Sequence, residues 1–198
     1  MNIVFDLGGV VVAWRPEEIV ARAFVDPGTR AVVREKIIGH PDWLELDRGT
    51  LTLDAAVDRA VGRTGLSEVD VRSFIEGVPA ALIADSDVVA LVRRLHAAGH
   101  DLYCLSNMPS FSMEHLERAY DFWHLFRGKV ISSQVGHCKP ERAIYEHLLG
   151  TYDLDPTETI FIDDVQANVA AAAAVGMQAI RFESLAQCEQ ELRRLGCL

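Results

Sequence analysis

The chain has 198 residues, of which 49% are hydrophobic and 24% charged, a composition typical of globular proteins with a sizeable core. Its net charge is −10, and an acidic balance argues against nucleic acid as the main partner, because phosphate backbones select basic surfaces. A small phosphate remains possible as a ligand, since a lysine, main-chain N–H groups and a metal can bind it locally.

The four cysteines show no CxxC pair, which disfavours both a zinc site and a disulfide framework. Cys104 lies in an apolar run and is expected to be a buried free thiol. The chain opens directly on a predicted strand, without the pattern of a signal peptide. The longest apolar stretch, near residues 167–175, is too short to cross a bilayer. We therefore expect a cytoplasmic protein without a membrane partner.

The first buried strand is predicted over residues 2–6, a continuous apolar run that ends at Asp6. Gly8 and Gly9 then predict a sharp turn before a second apolar run at residues 10–12, which indicates a small hairpin or flap. Asp6 therefore lies where a strand meets a turn that can approach a ligand closely.

Residues 15–84 are helical in pattern throughout and show no strand alternation. Pro16 predicts a helix start, because proline suits the first helical turn. Thr52 and Ser67 predict two further starts as N-cap residues, and Asp70 follows Ser67 at the spacing of a capping box. We interpret this stretch as an all-helical insertion.

Strands and helices alternate over the rest of the chain, with short loops between them. This alternation predicts an α/β fold with a doubly wound parallel sheet. Gly99, Gly150 and Gly176 are predicted to end three of the helices. The predicted strands cover residues 101–105, 129–132, 159–162 and 178–182, and the predicted helices cover residues 86–98, 112–120, 141–149, 167–175 and 185–195.

Polar side chains end or follow several of the predicted strands. Each type is common in helix caps and exposed loops, so none is informative alone. In an open parallel sheet, however, the carboxyl ends of the strands converge on one crevice. Carboxylates, a hydroxyl and an ammonium in one crevice suit a metal-assisted phosphate site. The residues concerned are Asp6, Ser106, Asn107, Lys139, Asp163 and Asp164.

Two of these segments imply a charge beside them. Pro140 predicts a helix start, so Lys139 would lie at a helix N-terminus, where the helix dipole gains nothing from a cation. An anion between the two explains that position better. Asp163 and Asp164 repel each other, and their burial is costly without a cation such as Mg²⁺. Asn168, on the following helix, can support the metal shell.

Together the segments resemble the four motifs of the haloacid dehalogenase-like hydrolase superfamily, in order and over the whole chain. The resemblance implies Mg²⁺-dependent phosphoryl transfer by a Rossmann-like core of about five strands. Residues 1–14 and 85–198 would form this core, and residues 15–84 a small helical cap. Residues 45–49, Glu-Leu-Asp-Arg-Gly, resemble a cap sequence of the sugar-phosphate phosphatase branch, which includes glucose-1-phosphate phosphatases.

The resemblance also implies residue roles. Asp6 would attack phosphorus and form an aspartyl-phosphate, while Lys139 neutralises phosphate charge and holds Asp6 and Asp164 in place. Ser106, the N–H of Asn107 and Lys139 would bind the phosphoryl group. The metal ligands would come from Asp6, the carbonyl of Gly8, Asp164 and Asp163, and which of the last two binds directly stays open.

One departure from the family pattern concerns the proton for the leaving group. Most phosphatases of the superfamily carry a second aspartate two residues after the nucleophile, as general acid and base, and here that position is Gly8. Either the substrate has a good leaving group, such as an anomeric phosphate, or another residue assists. The candidates in the cap and flap are Arg15, Glu45, Asp47 and Arg48.

We therefore predict a Mg²⁺-dependent phosphatase that acts on a small phosphorylated metabolite, expected to be a sugar phosphate, as a monomer or homodimer. A dehalogenase would use Asp6 to attack carbon without a metal, and Asp163 and Asp164 disfavour it. A phosphotransferase or mutase would need a second acceptor pocket. A degenerate member that binds phosphometabolites or a partner protein without turnover is favoured only by Gly8.

Overall fold

The computed structural model describes residues 1–198 and contains one sheet of five parallel strands. They are β1 (Asn2–Phe5), β2 (Asp101–Ser106), β3 (Gly128–Ile131), β4 (Thr159–Asp163) and β5 (Gln178–Arg181). Their order is β3-β2-β1-β4-β5, so the chain builds one half of the sheet outward from β1 and then returns to build the other. The predicted Rossmann-like α/β fold with about five core strands is confirmed.

Alternate strand residues pack on opposite faces of the sheet. Ile3 and Phe5 belong to an apolar cluster on one face, while Val4 and Tyr103 belong to a cluster on the other. Helices cover both faces, which explains why the strands are continuous apolar runs instead of alternating ones. The α-helices are α1 (Pro16–Ala23), α2 (Pro27–Val33), α3 (Pro41–Arg48), α4 (Leu53–Thr64), α5 (Glu68–Gly77), α6 (Ser86–Ala97), α7 (Ser110–Ala119), α8 (Ser132–Val135), α9 (Arg142–Tyr152), α10 (Gln166–Ala174) and α11 (Leu185–Arg194).

Helices α1 to α5 form a helical block inserted between β1 and β2, with a π-helical turn at Arg34–Ile38 and a 3₁₀ turn at Val78–Ala81. The hydroxyls of Thr52 and Ser67 accept hydrogen bonds from main-chain N–H groups at the starts of α4 and α5, as predicted. The block has an apolar cluster of its own, with 13 buried residues. Its helices therefore pack mainly on one another.

The two chain segments that join the block to the sheet are paired with each other. The N–H of Ala13 donates to the carbonyl of Ile83 at 2.8 Å, and the N–H of Asp85 donates to the carbonyl of Val11 at 2.9 Å. The block is thus attached through one short two-stranded connection, which lies next to the turn that follows β1.

Two predicted element boundaries are wrong. Helix α9 does not end at Gly150 but continues to Tyr152, whose hydroxyl bonds to both the N–H and the carbonyl of Lys129. This tertiary contact outweighs the cost of a glycine in a helix, about 1 kcal/mol. The same helix begins at Arg142 and not at Pro140. Lys139 therefore lies in the loop before the helix and not at its N-terminus.

Candidate active site

The ends of three central strands bring the predicted polar residues together. Asp6 directly follows β1, Ser106 is the last residue of β2, and Asp163 is the last residue of β4. β1 and β4 are neighbours in parallel register, with Phe5 opposite Ile162, so Asp6 and Asp163 leave the sheet side by side. The order of the chain reverses between these two strands, which is where ligand crevices of open α/β sheets form.

Lys139 joins the two carboxylates. Its side chain is 1% exposed, and its ammonium lies 2.8 Å from Asp6 Oδ2 and 2.7 Å from Asp163 Oδ2. The predicted contact of Lys139 with Asp164 is wrong, because the second carboxylate that it binds is that of Asp163. Two carboxylates of the chain therefore lie beside Lys139, and not an anion at a helix start. The nearby negative charges raise the pKa of Lys139 against the opposing effect of its burial. The ammonium thus remains charged and fixes the position of Asp6.

Asn107 holds the loop that carries Lys139. Its side-chain Nδ2 donates to the carbonyl of Lys139 at 2.9 Å, and its Oδ1 accepts from the N–H of Lys139 at 2.8 Å. This reciprocal pair fixes the orientation of the side-chain amide. The main-chain N–H of Asn107 has no hydrogen-bond partner within the chain and is available to a ligand.

Asp163 is completely buried, and each of its carboxylate oxygens is bonded. Oδ1 accepts from the N–H of Val165 at 2.8 Å and from Nδ2 of Asn168 at 3.0 Å, while Oδ2 accepts from Lys139 and from the same amide. The hydroxyl of Tyr145 in turn donates to the carbonyl of Asn168. These contacts hold the Asp163 carboxylate in place, where it pairs with Lys139. Asn168 donates to Asp163 and so helps to fix its position.

Asp164 differs from its neighbour because its carboxylate is only half-buried and faces the crevice. Gly9 makes room for it, since a β-carbon at residue 9 would lie 2.4 Å from Asp164 Oδ2. Gly9 also has a φ of +80°, which disfavours any other residue. Partial burial and the adjacent charge of Asp163 raise the pKa of Asp164. This carboxylate is the one available to a cation.

The three aspartates fit a divalent metal by geometry and by charge. Oxygen atoms of Asp6, Asp163 and Asp164 lie within 4.8 Å of one another. Three carboxylates and a single ammonium leave two negative charges uncompensated, and Mg²⁺ prefers such oxygen ligands. Burial, together with the nearby charge of Asp163, raises the pKa of Asp6 to about 7 even beside Lys139. The carbonyl of Gly8 accepts no hydrogen bond and is free to join the shell.

The groups around the metal position also suit an anion. The hydroxyl of Ser106 is buried at the end of β2, within the same crevice. The main-chain N–H groups of Gly8 and Asn107 lack partners within the chain. Unpaired N–H groups beside a lysine ammonium form a ready site for phosphate oxygens.

A cavity of about 320 Å³ contains all of these groups and extends between the sheet and the helical block. Part of the lining is polar, and the rest is a largely apolar wall. Trp14 and Trp43 lie in that wall with ring centroids 6.2 Å apart. The sequence did not single them out, because a tryptophan in a helical pattern is usually a core residue. The other apolar residues of the wall are Ile38, Val78, Leu82 and Met108.

Of the four residues considered for a missing acid, one lines this cavity. Arg15 and Glu45 are exposed, and Arg48 is bound to Glu141. Asp47 faces the cavity from the end of α3. Burial raises its pKa to about 7.

Gly8 itself is covered by a neighbouring side chain. A β-carbon at residue 8 would lie 3.6 Å from Cβ and 4.0 Å from Cγ of Trp14. The indole therefore stands against the open side of Gly8. A second, larger cavity of about 560 Å³ lies along the linkers of the helical block, and Trp14 and Asp164 line both cavities.

Comparisons with known proteins agree with this geometry. Over 196 residues the chain is 33% identical to a sesquiterpene phosphatase of Aspergillus oryzae, covering 98% of this chain and 96% of the relative. It is 25% identical to a D-ribitol-5-phosphate phosphatase of Bacteroides thetaiotaomicron, covering 96% of each. A solved enzyme from the same bacterium, in complex with magnesium and inorganic phosphate, superposes with a TM-score of 0.76 at 21% identity, covering 94% of this chain and 98% of that one.

No helix of the chain has the length and apolar character required to cross a membrane. The family model for haloacid dehalogenase-like hydrolases matches residues 1–176, which include every strand end described above except that of β5. The chain therefore belongs to the haloacid dehalogenase-like hydrolase family, and it is an enzyme of the phosphatase type within it.

Proposed function

We propose that the protein is a Mg²⁺-dependent phosphatase that hydrolyses a small phosphorylated metabolite through an aspartyl-phosphate at Asp6. The observation that carries this proposal is the grouping of three aspartates around one ammonium, beside unpaired main-chain N–H groups. Such a site lacks two positive charges and offers donors to an anion. The magnesium and phosphate bound to the solved relative support the same assignment.

Mg²⁺ would be held by Asp6, the Gly8 carbonyl and Asp164, and when bound it would offset the negative charge that otherwise keeps a phosphate from a carboxylate. Asp163 would support the site through Lys139, because all of its own hydrogen-bonding positions are occupied. Asp164 is therefore the better candidate for the direct ligand of the two.

The chain's own groups would carry the chemistry. Lys139 pairs with Oδ2 of Asp6, and Oδ1, which accepts a hydrogen bond from the N–H of Leu7 at 2.6 Å, would make the attack. Lys139 would also stabilise the charge of the transferring group. The Ser106 hydroxyl and the N–H of Asn107 bind the phosphoryl oxygens. The attack forms a bond from Asp6 to phosphorus and breaks the bond to the leaving group. Water then cleaves the aspartyl-phosphate and releases inorganic phosphate.

We further propose that residues 15–84 act as a cap on a core formed by residues 1–14 and 85–198. The separate apolar cluster of the helical block and its paired linkers support this division. Hinges near residues 13–14 and 84–85 would let the cap open for substrate and close over the site to exclude bulk water.

Two substrate classes are compatible with a phosphatase here. A sugar phosphate is the expectation from the sequence, and the similarity to the ribitol-5-phosphate phosphatase supports it. The apolar wall with Trp14 and Trp43 favours a substrate with an apolar body, and the similarity to the sesquiterpene phosphatase supports that class. Sugar hydroxyls would leave hydrogen bonds unmade against such a wall, which costs affinity.

A substrate panel with and without metal tests the proposal. It includes p-nitrophenyl phosphate, ribitol 5-phosphate, glucose 1-phosphate, farnesyl phosphate and chloroacetate, each with Mg²⁺ or excess EDTA. We expect phosphate release only with Mg²⁺. Equal phosphate release in EDTA would contradict the metal assignment, chloride release would identify a dehalogenase, and phosphate binding without turnover would identify a degenerate member.

A further inference from the structure

We propose that Asp47, in the last turn of α3, exchanges the proton with the leaving group and with water in place of the aspartate that Gly8 replaces. This inference rests on the proposed phosphatase function and adds a catalytic residue from the helical block. It also selects one residue among the four that the sequence left open.

The first support is the placement of the Asp47 carboxylate. Its side chain lines the cavity that contains Asp6, Ser106 and Lys139. It forms no hydrogen bond or ion pair, and burial is the only cause of its raised pKa, which lies at about 7. Asp47 is half-buried, and a carboxylate with reduced access to water and no partner is costly. Such groups cluster where chemistry requires them. A carboxyl group with this pKa can give and take a proton near neutral pH.

A second support is the way the main chain at Asp47 is fixed to the core. Its carbonyl accepts a hydrogen bond of 2.5 Å from the hydroxyl of Ser132. That hydroxyl also accepts from the N–H of Met108, two residues after Ser106. Two hydrogen bonds therefore link the carbonyl of Asp47 to the loop that follows β2. Gly49 adds a second contact between α3 and the core. Its Cα packs so closely on the main chain of Ser133 that a β-carbon there would clash.

The other candidates are excluded by chemistry or position. A guanidinium group does not cycle as acid and base, which excludes Arg48, and Arg15 is exposed and lies outside this cavity. Glu45 is two residues from Asp47 on the same helix, but it is exposed and pairs with Arg59 at 3.3 Å. Asp47 is also the only carboxylate that the helical block contributes to this cavity.

The proton balance of the two steps is complete. As the bond from Asp6 to phosphorus forms and the bond to the leaving oxygen breaks, the carboxylic acid of Asp47 gives its proton to that oxygen, which departs as an alcohol. The Asp47 carboxylate then takes a proton from water as the water oxygen attacks phosphorus. The bond from Asp6 to phosphorus breaks, inorganic phosphate leaves, and Asp47 is protonated again.

The test compares wild-type protein with Asp47→Asn on two kinds of substrate in single-turnover experiments with Mg²⁺. One is p-nitrophenyl phosphate, whose leaving group needs no proton, and the other is the alkyl phosphate that the wild type hydrolyses fastest. General acid catalysis is worth about 10²–10⁴-fold, so we expect a loss of this order on the alkyl phosphate and a loss at least ~10-fold smaller on the aryl phosphate. With p-nitrophenyl phosphate in excess over enzyme, the variant should also accumulate phosphorylated Asp6, seen as a burst of nitrophenolate, because the second step lacks its base.

Glu45→Gln is the matched control, because it removes a carboxylate from the same helix outside the cavity. It should keep wild-type rates on both substrates. Asp47→Glu, which retains a proton donor, should recover part of the alkyl rate, and thermal melting checks that all variants are folded.

Equal losses on both substrates, an unchanged alkyl rate, or a wild type that hydrolyses aryl but no alkyl phosphates would each overturn the role of Asp47 while leaving the phosphatase function intact. A wild type that releases phosphate from no substrate would overturn the proposed function itself, and the role of Asp47 with it.

Discussion

The guanidinium of Arg48 binds both carboxylate oxygens of Glu141, at 2.8 and 2.5 Å, across the junction between the helical block and the core. The ion pair lowers the pKa of Glu141 and raises that of Arg48, so both remain charged. Glu141 is two residues after Lys139, and Arg48 is adjacent to Asp47. This ion pair therefore links the segment that carries Lys139 to the helix that carries Asp47.

Removing this ion pair should loosen the packing of the helical block on the core. We expect Arg48→Ala to lower kcat/KM about 10-fold or more, because small misplacements of catalytic groups are costly. Raising the salt concentration should lower the kcat/KM of the wild type toward that of the variant, because the ion pair is partly exposed and salt screens it. Arg59→Ala, which breaks ion pairs only within the block, is the control. Equal salt sensitivity of wild type and Arg48→Ala would contradict the prediction.

Asp6→Asn should abolish turnover in a protein that still folds, with a lower melting temperature because Lys139 loses one of its two carboxylate partners. The amide is a poor nucleophile and a poor metal ligand, but it has nearly the same shape as the carboxylate. Phosphate release and the melting temperature are the two measurements. Asp121→Asn is the control, because this residue is exposed and lies outside the cavity. If Asp6→Asn kept even about a tenth of the wild-type rate, far more than loss of a nucleophile allows, Asp6 would not be the nucleophile.

The two adjacent aspartates should respond in opposite ways to removal of their charge. Asp164→Asn should weaken Mg²⁺ binding strongly, yet it should not destabilise the metal-free protein, since it removes repulsion from Asp163. Asp163→Asn should destabilise the protein by about 3–5 kcal/mol, because it leaves a buried lysine with one partner fewer. Calorimetric Mg²⁺ titration and urea unfolding separate the two effects. If both variants lost Mg²⁺ affinity and stability to the same extent, the assignment of metal binding to Asp164 and of structural support to Asp163 would be wrong.

The Asp47 carboxyl should make stability depend on pH. Its pKa is about 7 when folded and has a reference value of 3.8, so the unfolded chain loses this proton first as pH rises. The wild type should therefore be nearly as stable as Asp47→Asn at about pH 4 and less stable above about pH 7, by about 1–3 kcal/mol. Urea unfolding of both proteins across this range, without metal, measures the difference. If the difference in unfolding free energy between the two proteins did not change with pH, the raised pKa of Asp47 would be wrong.

The apolar wall should decide which substrates are used. Trp43→Ala should raise KM for a phosphate with an apolar body by about 10-fold or more, since an aromatic side chain contributes ~1–3 kcal/mol of contact. The effect on p-nitrophenyl phosphate should be smaller, because this substrate reaches less of the wall. Trp43→Phe is the matched variant and should retain most of the affinity. Parallel losses on both substrates would show that the cap does not set specificity.

Much of the site could be predicted because its residues follow recognisable strand patterns. Asp6, Ser106 and Asp163 each end a continuous apolar run, and in a parallel sheet such ends lie at one edge. Their grouping therefore followed from the fold class. The predicted element pattern was also accurate, with boundaries mostly within two residues, since glycines and N-cap residues mark them.

Other features depended on contacts that local patterns do not encode. The extension of α9 past Gly150 depends on the hydroxyl of Tyr152 reaching the main chain of Lys129. The use of the Asn107 side chain to hold the Lys139 loop joins residues 32 positions apart. Asp47 could not be chosen over Glu45 from sequence, because only the packing of α3 shows which carboxylate faces the cavity.

The packing of Trp14 against Gly8 has a consequence for how this chain could change over evolutionary time. Gly8→Ala alone should be tolerated, because a methyl group there meets only ordinary contacts. An aspartate at residue 8 would have to share its space with the indole, so its benefit should depend on a smaller residue at position 14. Asp47 combined with Gly8 and Trp14 is then one solution, and an aspartate at residue 8 combined with a smaller residue 14 is the alternative. A lineage that moves between them must pass through a double substitution.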